Sequence, residues 1–284
     1  MPVVPMQQIL KHAFENRYGV GAFNIVDGIS MDAVLTAAAE TRSPVIVQVS
    51  VETVKFMGAR LIRLMFEEMA GRVPVPATLH LDHCPDRKVI EECLAAGWNS
   101  VLFDASNLSY EENMAQTKEV VKLAHSYGAA VEGELEAIKG VEDGLGDEHG
   151  SGVVALDKAV NFIRETGIDS FAPAIGTAHG VYKGTPKINF QRVSEIVEQA
   201  PIPLVVHGGT GLSDETFREL IRRGAPKINI STQLKITYAD SFRNYLNEKP
   251  TEYDPLKLIA AVKKNLVDMV ASFMRIFGSE GKAA

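Results

Sequence analysis

The sequence predicts an α/β fold, a (β/α)8 TIM barrel with extra C-terminal helices. Two observations carry that prediction. Apolar strand-like runs alternate with helix-period segments along the 284 residues. Eight such runs occur, several of them near-continuous Val, Ile, Leu and Phe, as parallel strands buried on both faces require. A doubly wound sheet is the alternative. It lacks its signature here, because Gly19-Val20-Gly21 precedes the apolar part of the first run and no third glycine follows.

The elements follow in order. A helical segment at about 6–16 comes first. The strand-like runs are 19–25, 44–50, 77–83, 100–106, 129–136, 170–176, 203–209 and 227–231. Helix-period segments at 30–41, 54–70, 86–96, 110–126, 155–166, 190–199 and 214–223 separate them. Gly97, Gly128, Gly167 and Gly224 each follow a helix and suit a left-handed cap. Past the eighth run come a helix at 233–247, a Pro-flanked loop and a final helix at about 255–277. No linker or low-complexity stretch divides the chain, so 1–284 reads as one barrel domain.

Composition excludes several classes. Apolar content is 46% and charged content 23%, ordinary for a soluble globular protein. A net charge of -7 without a basic stripe argues against nucleic acid. No apolar run approaches the roughly 18 residues of a membrane span. Met1-Pro2-Val3-Val4-Pro5 lacks signal-peptide features, so a cytoplasmic protein is expected. Cys84 and Cys93 make no disulfide framework. Cys84 follows His83 directly, but without a CxxC pattern it reads as a buried bystander thiol.

In a barrel, chemistry sits at the C-terminal ends of the strands. Those ends here are Asn24, Ser50, Asp82 with His83, Asp104, Glu134, His179 just beyond the sixth run, His207 and Asn229. Each can bind a ligand, a metal or a proton, and random placement rarely does this. His83, His179 and His207 converging on one mouth suggest a divalent metal, and imidazole suits zinc. Asp104 and Glu134 either orient the histidines or hold a second metal position. His12 and His125 in helices, and His149 in a polar loop, read as solvated surface.

Two loops follow the seventh and eighth strands. His207-Gly208-Gly209-Thr210-Gly211 and Asn229-Ile230-Ser231-Thr232 stand where this fold often binds phosphate. Backbone N–H groups at glycine cradle an anion, and hydroxyls add to them. The segment 140–152, with five glycines and four carboxylates, reads as a long unstructured loop of the kind that forms active-site lids.

With these residues in hand, the sequence resembles the class II, metal-dependent ketose-bisphosphate aldolases over nearly its whole length. The resemblance is carried by Ala22-Phe23-Asn24, Val47-Gln48-Val49-Ser50, Leu81-Asp82-His83, Val101-Leu102-Phe103-Asp104, Gly176-Thr177-Ala178-His179-Gly180 and the two loops just described. It lies closest to the branch of fructose- and tagatose-bisphosphate aldolases and an inositol-catabolic aldolase. It implies a homodimer or homotetramer acting on a phosphorylated sugar. It also implies zinc or another divalent metal on His83, His179 and His207, with a monovalent cation as a further ligand. Asp82 becomes the acid/base toward the aldehyde oxygen, and Glu142 takes the proton from dihydroxyacetone phosphate. Gly180, Gly208 to Thr210 and Asn229 to Thr232 hold its phosphate, with Asn24 and Ser50 in the substrate site. Asp104 and Glu134 match an alternative metal position.

Two departures stand out. The family usually has glycines where this chain has Glu136 and Lys139, and an arginine after Asp-Pro where this chain has Leu256. The donor half of the site is therefore expected intact and the acceptor half altered, with Glu136 and Lys139 available to a polar aldehyde. Competing readings are a barrel hydrolase with a zinc-bound water and a phosphosugar-binding barrel without catalysis. The first needs no pair of phosphate loops, and the second leaves Asp82 and Glu142 unexplained. A Schiff-base aldolase needs a lysine at a strand's C-terminal end, whereas Lys227 opens the eighth run and should lie at the wrong face.

Overall fold

All eight runs contribute strands to one sheet in the computed structural model, which describes residues 3–136, 140–142, 145–147, 153–180, 182 and 184–283. The elements are α1 (Met6–Asn16), β1 (Val20–Asn24), α2 (Gly28–Thr41), β2 (Val45–Ser50), α3 (Val51–Met57), α4 (Ala59–Ala70) and β3 (Ala77–Cys84). Then come α5 (Arg87–Ala95), β4 (Ser100–Asp104), α6 (Tyr110–Ser126), β5 (Ala130–Glu134), β6 (Gly140–Glu142) and β7 (Leu145–Asp147). The remainder is α7 (Leu156–Thr166), β8 (Ser170–Ala172), α8 (Phe190–Gln199), β9 (Val205–Val206), α9 (Asp214–Arg223), β10 (Lys227–Ile230), α10 (Thr232–Glu248) and α11 (Pro255–Phe277).

The large sheet runs β8-β5-β4-β3-β2-β1-β10-β9, with every pairing parallel. A single parallel bridge between Phe171 and Leu204 joins its two edges and closes the barrel. Right-handed crossovers through helices are what bring successive parallel strands side by side.

Alternation along each strand sorts the side chains. Phe23, Val47, Leu79, Val101, Val131, Phe171 and Ile228 belong to the outer core beneath the helices. The opposite face points into the barrel. At its N-terminal end Val20, Ala22, Ile46 and Ala130 pack on Met6, Ile9, Leu10 and Ala13 of α1. That helix therefore plugs the bottom of the barrel. One step up the strands the interior turns polar: Gln48, His80, Ser100, Glu132 and Lys227 are all fully buried. Helix α11 lies across α2, α9 and α10, and its Phe273 and Phe277 meet Phe217 of α9 edge to face, with centroids 6.2 and 5.0 Å apart.

The structure corrects several expected boundaries. The run at 170–176 forms strand only to Ala172, because Pro173 offers no N–H to the ladder. The run at 203–209 yields only Val205–Val206 before the glycines turn the chain. The segment 54–70 is two helices, since Gly58 between them has φ 90°. Thr232 opens α10 rather than lying in a loop. The stretch 140–152 is not structureless throughout: β6 and β7 pair antiparallel. The four expected glycine caps all have positive φ.

Candidate active site

The site forms at the C-terminal mouth because one strand breaks its own alternation. On β3, His80 and Leu81 pair with Ser100 and Val101, yet Cys84 pairs with Phe103. Three steps on β3 therefore match two on β4, which is a β-bulge. His83 absorbs it with φ 42°, a conformation costly for a residue with a Cβ and typical of functional positions. In regular strand Asp82 and His83 would point to opposite faces. Here both reach the mouth, 2% and 7% exposed.

The three strand-end histidines meet there. Ring centroids are 4.6 Å apart for His83 and His207, 5.0 Å for His83 and His179, and 5.8 Å for His179 and His207. Ligand-capable atoms of the three rings all lie within 4.8 Å of one another. His83, Asp104 and Glu134 form a second set within the same limit.

Hydrogen bonds fix which ring nitrogen faces inward. His83 Nδ1 donates to Asp104 Oδ2 at 2.8 Å, and its Nε2 is buried with no hydrogen-bond partner among the described residues. His207 Nε2 donates to Glu132 Oε1 at 2.8 Å, and its Nδ1 is likewise buried without a hydrogen bond. Glu134 Oε2 approaches that Nδ1 to 3.3 Å, off hydrogen-bond geometry. Buried nitrogens without partners cost free energy unless something binds them. A divalent metal fits this donor set, and in His83 and His207 the other ring nitrogen is already held by a carboxylate, the usual arrangement around a metal-binding imidazole.

Electrostatics sort the groups. Burial, with the neighbouring His83, pulls His179 and His207 well below the ordinary imidazole range. Burial also pulls His83 down, but Asp82, Asp104 and Glu134 around it outweigh that and lift it well above. Burial and the adjacent Asp104 raise Glu134. Asp82 Oδ2 accepts from Asn24 Nδ2 at 2.8 Å, while its Oδ1 is buried with no partner among the described residues. One carboxylate oxygen is thus anchored by Asn24 and the other is not.

The glycine loops behave as a cradle. Gly208 has φ 64°, and a Cβ there would sit 2.3 Å from the carbonyl oxygen of Ala178. Only glycine lets these two loops touch. At Gly180, by contrast, a Cβ would meet open space. Thr210 Oγ1 accepts from the backbone N–H of Gln233 at 3.2 Å, tying the glycine loop to the first turn of α10, and Ser231 Oγ is buried with no hydrogen-bond partner among the described residues. Tyr182 donates to the carbonyl of Gly208 at 2.7 Å and accepts from Ala178 N–H at 3.0 Å. Beside this loop lies a cavity of about 690 Å³ bordered by Tyr182, Thr210, Ser213 and Gln233. Ser50 stands level with Asp82 in register, and its hydroxyl caps α3 by accepting from Thr53 N–H.

Some expectations do not hold. Glu136 does not face the site. It is fully buried, 2.5 Å from Arg192 Nη2, and accepts from the N–H groups of Ala174 and Val154. Lys227 does open its strand, β10, away from the C-terminal mouth as expected, and its side chain is fully buried inside the barrel. Glu142 ends β6, but its side chain lies outside the described residues, as does Lys139. His12 and His125 are surface residues, held by Tyr18 and Asp169. Sequence reading missed Glu132, Gln48 and Lys227. The available signal was period 2, since each stands two residues before a strand-end residue already singled out: Glu134, Ser50 and Asn229.

Known proteins resemble this chain along its whole length. The family model for class-II fructose-bisphosphate aldolase matches residues 4–282. A fructose-bisphosphate aldolase of Geobacillus stearothermophilus is 38% identical over 291 residues, covering 100% of both chains. A sulfofructosephosphate aldolase of Alkalicoccus urumqiensis is 34% identical over 284 residues, covering 100% of this chain and 99% of that one. The crystal structure of the YdjI aldolase from Escherichia coli K12 superposes with a TM-score of 0.88 at 31% identity, covering 99% of this chain and 100% of that one. No helix among the described residues is long and apolar enough to cross a membrane. The match takes in the plug helix, the bulged third strand and the closing helix alike, and the chain belongs to the class II fructose-bisphosphate aldolase family.

Proposed function

We propose that this aldolase is zinc-dependent and splits a ketose 1-phosphate into dihydroxyacetone phosphate and an aldehyde, reversibly. The observation that carries this reading is the convergence of His83, His179 and His207 within 4.8 Å beside the half-anchored Asp82. When bound, the metal polarises the substrate carbonyl and stabilises the negative charge that develops on its oxygen.

The chain's own residues do the rest. In the cleavage direction Asp82 takes the proton from the hydroxyl on the carbon that leaves as aldehyde. The adjoining carbon–carbon bond breaks, and its electron pair stays with the donor half. Glu142 then delivers a proton to that donor carbon; in condensation it removes one. Gly180, Gly208 to Thr210 and Asn229 to Thr232 hold the phosphate through N–H groups and hydroxyls. Asn24 and Ser50 border the sugar. Asp104 and Glu134 orient His83 or would take the metal in an alternative position, and a monovalent cation would be a further cofactor. The enzyme works in the cytoplasm as a homodimer or homotetramer.

The acceptor end differs from fructose bisphosphate. Leu256 stands at the start of α11, 75% exposed, and its side chain offers no hydrogen bond at the position where the family resemblance leads to the expectation of an arginine. One relative is named for sulfofructosephosphate, so the acceptor varies among relatives. Chelator dialysis tests the metal: cleavage of ketose 1-phosphates should vanish and return with zinc. Full activity in verified metal-free enzyme defeats the reading.

A further inference from the structure

We infer that Lys227 is a positioning residue, a single buried ammonium that aims both the proton-transfer carboxylate Asp82 and the metal-facing nitrogen of His207. The inference rests on the roles just proposed for those two residues.

Lys227 is fully buried in the barrel interior. Its Nζ donates to Gln48 Oε1 at 2.8 Å and to Asn229 Oδ1 at 2.8 Å. Glu132 Oε2 lies 2.9 Å away as an ion pair, without the alignment of a hydrogen bond. An ammonium has three donors and no acceptor. Each neighbour must therefore turn an oxygen toward it, and that requirement propagates along two arms.

In the first arm Gln48 gives its oxygen to Lys227, so its Nε2 points the other way and donates to Asn24 Oδ1 at 2.8 Å. Asn24 must then present Nδ2 to Asp82 Oδ2, at 2.8 Å. An amide could sit either way round in an apolar pocket. Here the cation removes the choice at Gln48, and Gln48 removes it at Asn24. Asp82 consequently receives a donor on Oδ2 and keeps Oδ1 without a partner among the described residues.

In the second arm Glu132 turns Oε2 toward Lys227 and Oε1 toward His207 Nε2, 2.8 Å away. The proton of the His207 ring is thereby placed on Nε2, and Nδ1 is left for a metal. A third consequence falls on Asn229, whose carbonyl oxygen is engaged by Lys227, so that its N–H groups are what it turns to a ligand. The residues come from β1, β2, β3, β5, β9 and β10 or their C-terminal ends. The root of the network, Lys227, opens β10 and so lies below the strand ends that form the mouth.

A structural buried lysine would stabilise the barrel without distinguishing the two arms. Three variants separate these cases: Lys227→Met, which fills the space without charge; Gln48→Met, which cuts only the first arm; and Glu132→Gln, which weakens the second. Zinc affinity is read by chelator competition. Solvent exchange of a dihydroxyacetone phosphate proton and carbon–carbon cleavage are read on zinc-saturated enzyme. Gln48→Met should lower cleavage about tenfold or more at unchanged zinc affinity, in line with the weaker end of acid/base effects. Glu132→Gln should weaken zinc by about ten- to a hundred-fold. Lys227→Met should show both losses.

If Lys227→Met folds and leaves both quantities within about twofold, the inference is overturned. It is overturned equally if Gln48→Met weakens zinc as much as Glu132→Gln does. Should Lys227→Met fail to fold, the other two variants decide alone, and equal effects of both on both quantities defeat the two-armed arrangement. His207→Ala guards the underlying reading: unchanged zinc affinity there defeats the metal site itself. A loss in His207→Ala without one in Glu132→Gln defeats only the inference.

Discussion

Asp104 Oδ2 accepts a hydrogen bond from His83 Nδ1 at 2.8 Å, and that bond decides which nitrogen of the ring faces His179 and His207. Burial pushes the Asp104 carboxyl up, but the His83 contact and two bonds from Ser106 outweigh it and hold the group well below the usual carboxylate range. Asp104→Ala frees the ring to turn. Zinc affinity should fall about ten- to a hundred-fold, measured against a competing chelator. An unchanged affinity would show that the bulged backbone alone orients His83.

Asp82 and Glu142 are expected to act on different steps. Glu142→Ala should stop exchange of a dihydroxyacetone phosphate proton with solvent while the metal stays bound. Asp82→Ala should depress cleavage more than exchange. Each loss should be on the order of 10² to 10⁴ in rate. Equal effects of both substitutions on both steps would mean that the roles are wrongly divided.

Leu256 sets the acceptor prediction. A leucine cannot supply the forked donors that suit arginine to phosphate. Nearby Lys257 is already engaged by Glu252, 3.0 Å away. Fructose 1,6-bisphosphate should therefore be a poorer substrate than a ketose 1-phosphate lacking the second phosphate. Leu256→Arg should improve kcat/KM for the bisphosphate about tenfold, if one charge-assisted contact of roughly 1.5 kcal/mol is gained. Wild-type preference for the bisphosphate, unmoved by the substitution, would place that phosphate on another residue.

Cys84 should be inert despite adjoining His83. Burial pushes its thiol from 9.0 up to about 12, though its Sγ–H donates to the carbonyl of Asp86. A raised folded-state value means that the native state holds its proton longer than the unfolded chain. The stability contribution is thus complete below about 9 and is lost as pH rises toward about 12. At pH 8 a thiol reagent should label Cys84 only after denaturation. Rapid labelling of the native enzyme would contradict this burial.

The Glu136 result shows where sequence reading stops. It lies two residues past Glu134, so period 2 alone would carry it to the same mouth. But β5 ends at Glu134, and once the chain leaves the ladder the alternation no longer governs direction. Arg192, which is 56 positions away, then claims the carboxylate. No local pattern announces such a partner.

What the sequence determined by itself was the barrel and the ring of strand-end groups. Both follow from local regularities: apolar runs alternate with helical periods, and parallel strands put their C-terminal ends on one side. Tertiary structure decided which nitrogen of His83 and of His207 faces inward, that Asp82 and His83 share a face, and that the Lys227 side chain runs in the barrel interior. The first depends on Asp104, on the strand beside that of His83, and on Glu132, on the strand next but one to that of His207. The second depends on a bulge that exists only in the pairing of β3 with β4. The third depends on closure, because only a closed barrel has an interior where a lysine's charge can meet the oxygens of Gln48, Glu132 and Asn229.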